Sequence, residues 1–151
     1  MIAGAAMTAL LPILFAIAAG LCVAVQSPSN AMLARSSGSV WFASLVSFTG
    51  GVTLLLAIWA LFDRTPLAAV RNAPPWAWVG GLYGVVFVAA VAYATPRLGL
   101  AVTLTITLAA QLSMAVMLDH FGLLGLKQEP VTLTRLAGLA LVVAGVFLVR
   151  R

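Results

Sequence analysis

The chain has 151 residues, of which 64% are hydrophobic and 7% charged, with a formal net charge of +5 and a mean hydropathy of +1.17. A soluble domain of this length buries only part of the surface its chain exposes, so a water-soluble globule is excluded and lipid is the solvent that fits. The basic balance is not a nucleic-acid signature either, because the eight Lys and Arg stand between apolar runs and form no basic face.

The first apolar run extends from Ile2 to Val25. It lacks a basic leader and is longer than a signal-peptide core, so a retained span is expected. Pro12 removes a backbone donor and predicts a kink there. Gln26-Ser27-Pro28-Ser29-Asn30 reads as a turn or a helix restart, after which Ala31 to Ser39, with Arg35, either begins the next helix or lies at the interface. The second run, Val40 to Phe62, is closed by Asp63-Arg64, and a loop with Pro66, Arg71, Asn72 and Pro74 follows. The third run is Trp76 to Thr95, and Pro96-Arg97-Leu98-Gly99 predicts a tight turn. The fourth, Leu98 to Leu118, stops at Asp119-His120-Phe121-Gly122. A mixed loop with Lys127, Glu129 and Pro130 leads to the fifth, Thr132 to Val149, which ends in Arg150-Arg151.

Roughly 20 helical residues cross a bilayer, and open backbone finds no partner there, so five transmembrane helices in a single all-α domain are expected over residues 2–25, 40–62, 76–95, 98–118 and 132–149. Trp41, Trp59, Trp76 and Trp78 stand near run ends, where indole rings favour the interface. Small residues recur at four-residue spacing: Ala16, Gly20 and Ala24; Ala43, Ser47 and Gly51; Gly80 and Gly84; Ala140 and Ala144. They predict close helix packing within the chain, or a dimer contact at the fifth span. Cys22 has no disulfide partner and no metal-ligand spacing, and reads as a small apolar core residue.

Five spans put the termini on opposite sides. Arg64, Arg71, Lys127 and Arg135 then share the N-terminal side, and Arg35, Arg97, Arg150 and Arg151 the other, four against four. Orientation follows an excess of Lys and Arg on one side, and here there is none, so insertion both ways is expected. Two such chains can pair antiparallel as the unfused version of an inverted-repeat transporter.

Four stretches, in order, carry a resemblance. They are Gln26 to Asn30 continuing through Gly38-Ser39 to Ser47-Phe48 and Gly50-Gly51; Pro75-Trp76-Ala77-Trp78-Val79-Gly80-Gly81 with Gly84; Pro96-Arg97-Leu98-Gly99; and Gln111 with Leu118-Asp119-His120-Phe121-Gly122, then Arg135-Leu136-Ala137-Gly138 and Gly145. The ordered set resembles the YdcZ-type small membrane proteins of the drug/metabolite transporter (DMT) superfamily. The resemblance implies a multi-pass protein of the bacterial inner (plasma) membrane. It also implies half of a ten-helix inverted-repeat transporter, which pairs as a homodimer or with a sister chain in a heterodimer.

Polar groups inside spans are the candidate solute contacts, since each needs a partner there. Thr103, Thr107 and Gln111 fall at i, i+4 and i+8 on one face of the fourth span. The Gln111 amide can orient a ligand or bond to a neighbouring helix, and the threonine hydroxyls can bond back to their own helix. Tyr83 and Tyr93 are candidates to line a cavity with Gln111, or to fill core. Gln26 and Asn30 are candidates for a vestibule at the Pro28 break, with helix capping the alternative for Asn30. Asp119 is disfavoured at a helix C-terminus, so a cation is expected to compensate it, Arg135 or Lys127 of the same chain or Arg35 or Arg97 of an antiparallel partner. Asp119 and His120 are the candidates for a gate contact or proton carriage.

The expected spans carry no ionisable residue at mid-membrane, so proton-coupled drug efflux of the kind that uses a buried glutamate is disfavoured. A neutral or zwitterionic small-molecule solute fits an uncharged polar site. The alternatives are a dual-topology channel, for which no filter sequence is visible, and a non-transporting partner subunit. No cofactor, metal site, nucleic-acid partner or enzymatic activity is expected, since the chain has no nucleophile–base pair, metal cluster or phosphate loop.

Overall fold

In the computed structural model the chain is helical, with the backbone described over residues 2–150 and the side chains over 10–150. Arg151, counted above, lies outside the described residues. The main helices are α1 (Ile2–Ser37), α2 (Val40–Ile58), α3 (Gly80–Leu98), α4 (Leu100–Phe121) and α5 (Leu133–Val149). Among the described residues four helices are long and apolar enough to cross a membrane, while α5, also apolar, has 17 residues. The molecule is thus a small all-α membrane protein of five helices.

Pro28 does not break the first helix, contrary to the sequence expectation. α1 continues through Pro12 and Pro28, and the Arg35 segment is its last turns. The Ser27 hydroxyl donates to the Val23 carbonyl at 2.6 Å and the Ser29 hydroxyl to the Val25 carbonyl at 3.0 Å. Such local side-chain bonds let apolar helices tolerate proline by engaging backbone oxygens around the missing donor. Asn30 is therefore a mid-helix residue and caps nothing. Only Gly38 and Ser39 separate α1 from α2, which starts where the Ser39 hydroxyl accepts from the Phe42 N–H at 3.2 Å.

Pro96 likewise lies inside α3, which runs on to Leu98, so the expected four-residue turn reduces to Gly99. Its φ of 83° is a backbone state that a Cβ disfavours, and this residue ends one helix and starts the next. The loop expected after the second run is also more ordered than foreseen. It holds a 3-10 turn, Leu67–Val70, while the second run itself ends in a π-helical turn, Trp59–Asp63, and the third opens with a 3-10 turn, Pro75–Val79, so that α3 starts at Gly80 rather than Trp76.

The chain forms two compact units, residues 1–96 and 97–151. In the first, α1 and α2 pack along each other. Ser27, Asn30, Ala31 and Ala34, at i, i+3, i+4 and i+7, form the buried face of α1, and Ala43 and Ser44 are buried on α2. Val88, Ala89, Val91 and Ala92 complete the buried set from α3. Ala34, Ala43 and Ala92 meet at its centre with Val40 against them. Small side chains let the backbones approach, as the spacing predicts for Ala43. Gly84 also approaches a neighbour, since a Cβ there would meet Phe48 Cζ at 3.1 Å. Ala16, Gly20, Gly51, Ala140 and Ala144 instead face outward, and Cys22 is exposed on α1 and is not a core residue. In the second unit α4 packs against α5.

Candidate functional site

The α4–α5 seam starts from two matching stripes. Leu112, Ala115, Val116 and Asp119 fall at i, i+3, i+4 and i+7 on α4, and Arg135, Gly138, Leu139 and Val142 do so on α5. The two stripes line an open groove of about 400 Å³, apolar along its length and charged at one end.

At the charged end, Arg135 Nη1 lies 3.5 Å from Asp119 Oδ2, and Arg135 also pairs with Glu129. This supplies the cation expected beside Asp119, and Arg135 takes that place rather than Lys127. One guanidinium thus stands between two carboxylates. α4 ends at Gly122, whose φ of 61° lets its N–H reach the Asp119 carbonyl at 3.2 Å. The same carbonyl accepts from the Glu129 N–H at 2.8 Å, which draws the loop back over the helix end. His120 serves that loop: its Nδ1 accepts from the Val131 N–H at 3.3 Å, and its carbonyl accepts from Gln128 Nε2 at 3.0 Å. The Thr132 hydroxyl then caps α5 by accepting from the Arg135 N–H at 3.3 Å.

The polar face anticipated on α4 divides. Thr103 is 2% exposed and its hydroxyl donates to the Gly99 carbonyl at 2.8 Å, while the half-buried Thr107 donates to the Leu104 carbonyl at 2.9 Å. Both hydroxyls are thus spent on their own helix. Gln111 is exposed. In the other unit Tyr83 and Tyr93 are exposed on α3, and Gln26 is exposed on α1. Asn30 is 5% exposed, inside the first unit's core.

Sequence reasoning missed several polar residues. Glu129 read as loop, yet the chain holds only three acids for eight basic residues, so an acid six positions before Arg135 was a signal for pairing. Ser27 and Ser44 are buried and back-bonded, Ser44 to the Val40 carbonyl at 2.9 Å. The Thr95 hydroxyl is buried without a hydrogen-bond partner, one residue before Pro96.

Comparison with known proteins gives a family for the chain. The family profile described as "Putative inner membrane exporter, YdcZ" matches residues 11–148. The chain is 29% identical over 145 residues to the inner membrane protein YdcZ of Escherichia coli strain K12, covering 93% of this chain and 95% of that one. No solved structure matches. With the profile spanning all but the ends, the chain is a multi-pass bacterial inner-membrane protein with a transporter-like role, and it belongs to the YdcZ family.

Proposed function

We propose that this protein carries a small neutral or zwitterionic solute across the inner membrane as an antiparallel pair of five-helix chains. The even split of Lys and Arg, four on each side of the expected topology, is the observation that carries this reading. The family's description as an exporter supports the transport class. Five helices are half of the ten in an inverted-repeat transporter, which supports pairing with a second copy or a sister chain. Gln111 is the foremost solute contact in this reading, because its amide is not buried in the packing of its own unit. Tyr83, Tyr93 and Gln26 are further contacts, and Thr103, Thr107 and Asn30 support the helices that hold them. The Asp119–Arg135–Glu129 cluster closes one end of the α4–α5 seam as a gate contact.

Measurements of orientation and of flux test the proposal. Reporter fusions at both termini should place each terminus on both sides of the membrane in one cell population, and disulfide trapping should capture antiparallel pairs. Every molecule facing one way among parallel neighbours would reject it. A solute screen on purified protein, followed by flux into proteoliposomes, should give saturable exchange rather than channel-like currents.

A further inference from the structure

The end of α2 carries a second groove. Val52, Leu55, Leu56 and Trp59 of α2 and its π-helical turn, together with Leu67, line an open, apolar space of about 470 Å³. Leu67 opens the 3-10 turn that follows the helix end. Between Trp59 and Leu67 the backbone is held in an uncommon state: Arg64 has a φ of 53° and a ψ of 20°, the left-handed region that residues with a Cβ seldom enter. Four bonds fix it. The Arg64 N–H donates to the Trp59 carbonyl at 2.8 Å and Arg64 Nε to the Ala60 carbonyl at 3.2 Å. Trp59 Nε1 donates to the Thr65 carbonyl at 2.8 Å, and the Thr65 hydroxyl donates to Asp63 Oδ1 at 2.7 Å. A strained residue held by several bonds points to a built feature rather than a slack loop.

Its chemistry is two-sided. The groove offers an occupant only hydrocarbon and an indole whose N–H is already taken, so a polar solute finds no partner there. Leu67 in its lining is 79% exposed, and Phe62 of the π-helical turn is 81% exposed, which suits a hydrocarbon surrounding. Arg64 lies three residues before Leu67 and Arg71 four residues after it, and among the described residues neither makes an ion pair. Guanidinium groups are suited to phosphate, which they bind through two parallel hydrogen bonds.

We propose that this end of α2 is a binding site for an anionic membrane phospholipid. One acyl chain lies in the groove against Leu55, Leu56 and Trp59, and the headgroup phosphate meets Arg64 and Arg71. A hydrocarbon slot with two arginines within four residues of its Leu67, neither in an ion pair among the described residues and Arg64 with its Nη groups left for a ligand, complements one molecule with an acyl tail and a negative head. The site does not depend on the direction, substrate or dimeric form of transport.

The test uses the full chain with Trp59 as its only tryptophan (Trp41→Phe, Trp76→Phe, Trp78→Phe) in phosphatidylcholine bilayers. These hold a minor share of phosphatidylglycerol or phosphatidylcholine brominated on the acyl chain. Brominated phosphatidylglycerol should quench Trp59 more strongly at equal mole fraction. Its advantage should fall about five-fold for each of Arg64→Gln and Arg71→Gln, the attraction of one basic side chain to anionic lipid. Val52→Phe, which fills the groove, should weaken quenching by both lipids. Equal quenching by the two lipids would overturn the proposal and needs no arginine variant to detect. Absence of quenching by either would overturn it too, since no acyl chain would then lie against Trp59.

Discussion

Arg135 Nη1 stands 3.5 Å from Asp119 Oδ2, tying the first turn of α5 to the last turn of α4. The two side chains are 35% and 38% exposed, so solvent screens their attraction. Asp119→Asn should therefore cost about 1 kcal/mol in thermal unfolding of the purified protein. Arg135→Leu should cost more, since it leaves Asp119 and Glu129 facing each other without a cation. A double-mutant cycle over Asp119 and Arg135 isolates the pair. If Asp119→Asn retains full transport and assembly, the gate role falls even where the stability loss is measured.

Gly122 and Gly138 make a matched contrast. A Cβ on Gly122 would meet Gln128 Cβ at 3.1 Å in a left-handed backbone, whereas one on Gly138 meets nothing within 4 Å. Gly122→Ala should destabilise by about 1 kcal/mol or more and loosen the 123–131 loop to protease. Gly138→Ala should leave the melting temperature unchanged, and a large loss there would reveal a contact made only in the assembled dimer.

The orientation balance can be tipped. Ser36→Lys with Lys127→Gln turns four against four into five against three, and Asn72→Lys with Arg150→Gln gives the opposite bias. Each biased chain expressed alone should insert one way and lose transport, and co-expression of the two should restore it. Full transport by either chain alone would contradict an antiparallel pair.

Gln111→Ala should abolish the stabilisation that a transported solute gives the wild type in a thermal-shift assay while leaving the unliganded melting temperature nearly unchanged, because the residue is exposed. A solute that protects both proteins equally would remove Gln111 from the site.

The five apolar runs were legible because a bilayer sets a minimum length that composition alone reveals. The prolines were not. Pro28 and Pro96 read as breaks by the rules of soluble helices, yet α1 passes through the first with Ser27 and Ser29 bonding back to the carbonyls around it, and α3 runs two residues beyond the second before Gly99 turns the chain. Asp119 announced its need for a cation through the helix dipole, and that reasoning left Arg135 among its candidates. The choice of Arg135, and the entry of Glu129, depend on how the 122–132 loop folds, which periodicity does not encode. The Arg64 turn was equally hidden, since nothing in Phe62-Asp63-Arg64-Thr65 announces a positive φ at arginine.

With 17 residues, α5 measures about 26 Å along its axis, some 4 Å less than a typical hydrocarbon core of about 30 Å. Arg135 in its first turn and Arg150 just beyond its last residue fix both ends by their demand for water and headgroups. A span this short is matched by thinning of the bilayer around it, by snorkelling of its flanking arginines or by association with other helices. Should α5 cross the bilayer, a membrane pinched to its length would leave a polar cargo beside it about 4 Å less hydrocarbon to traverse.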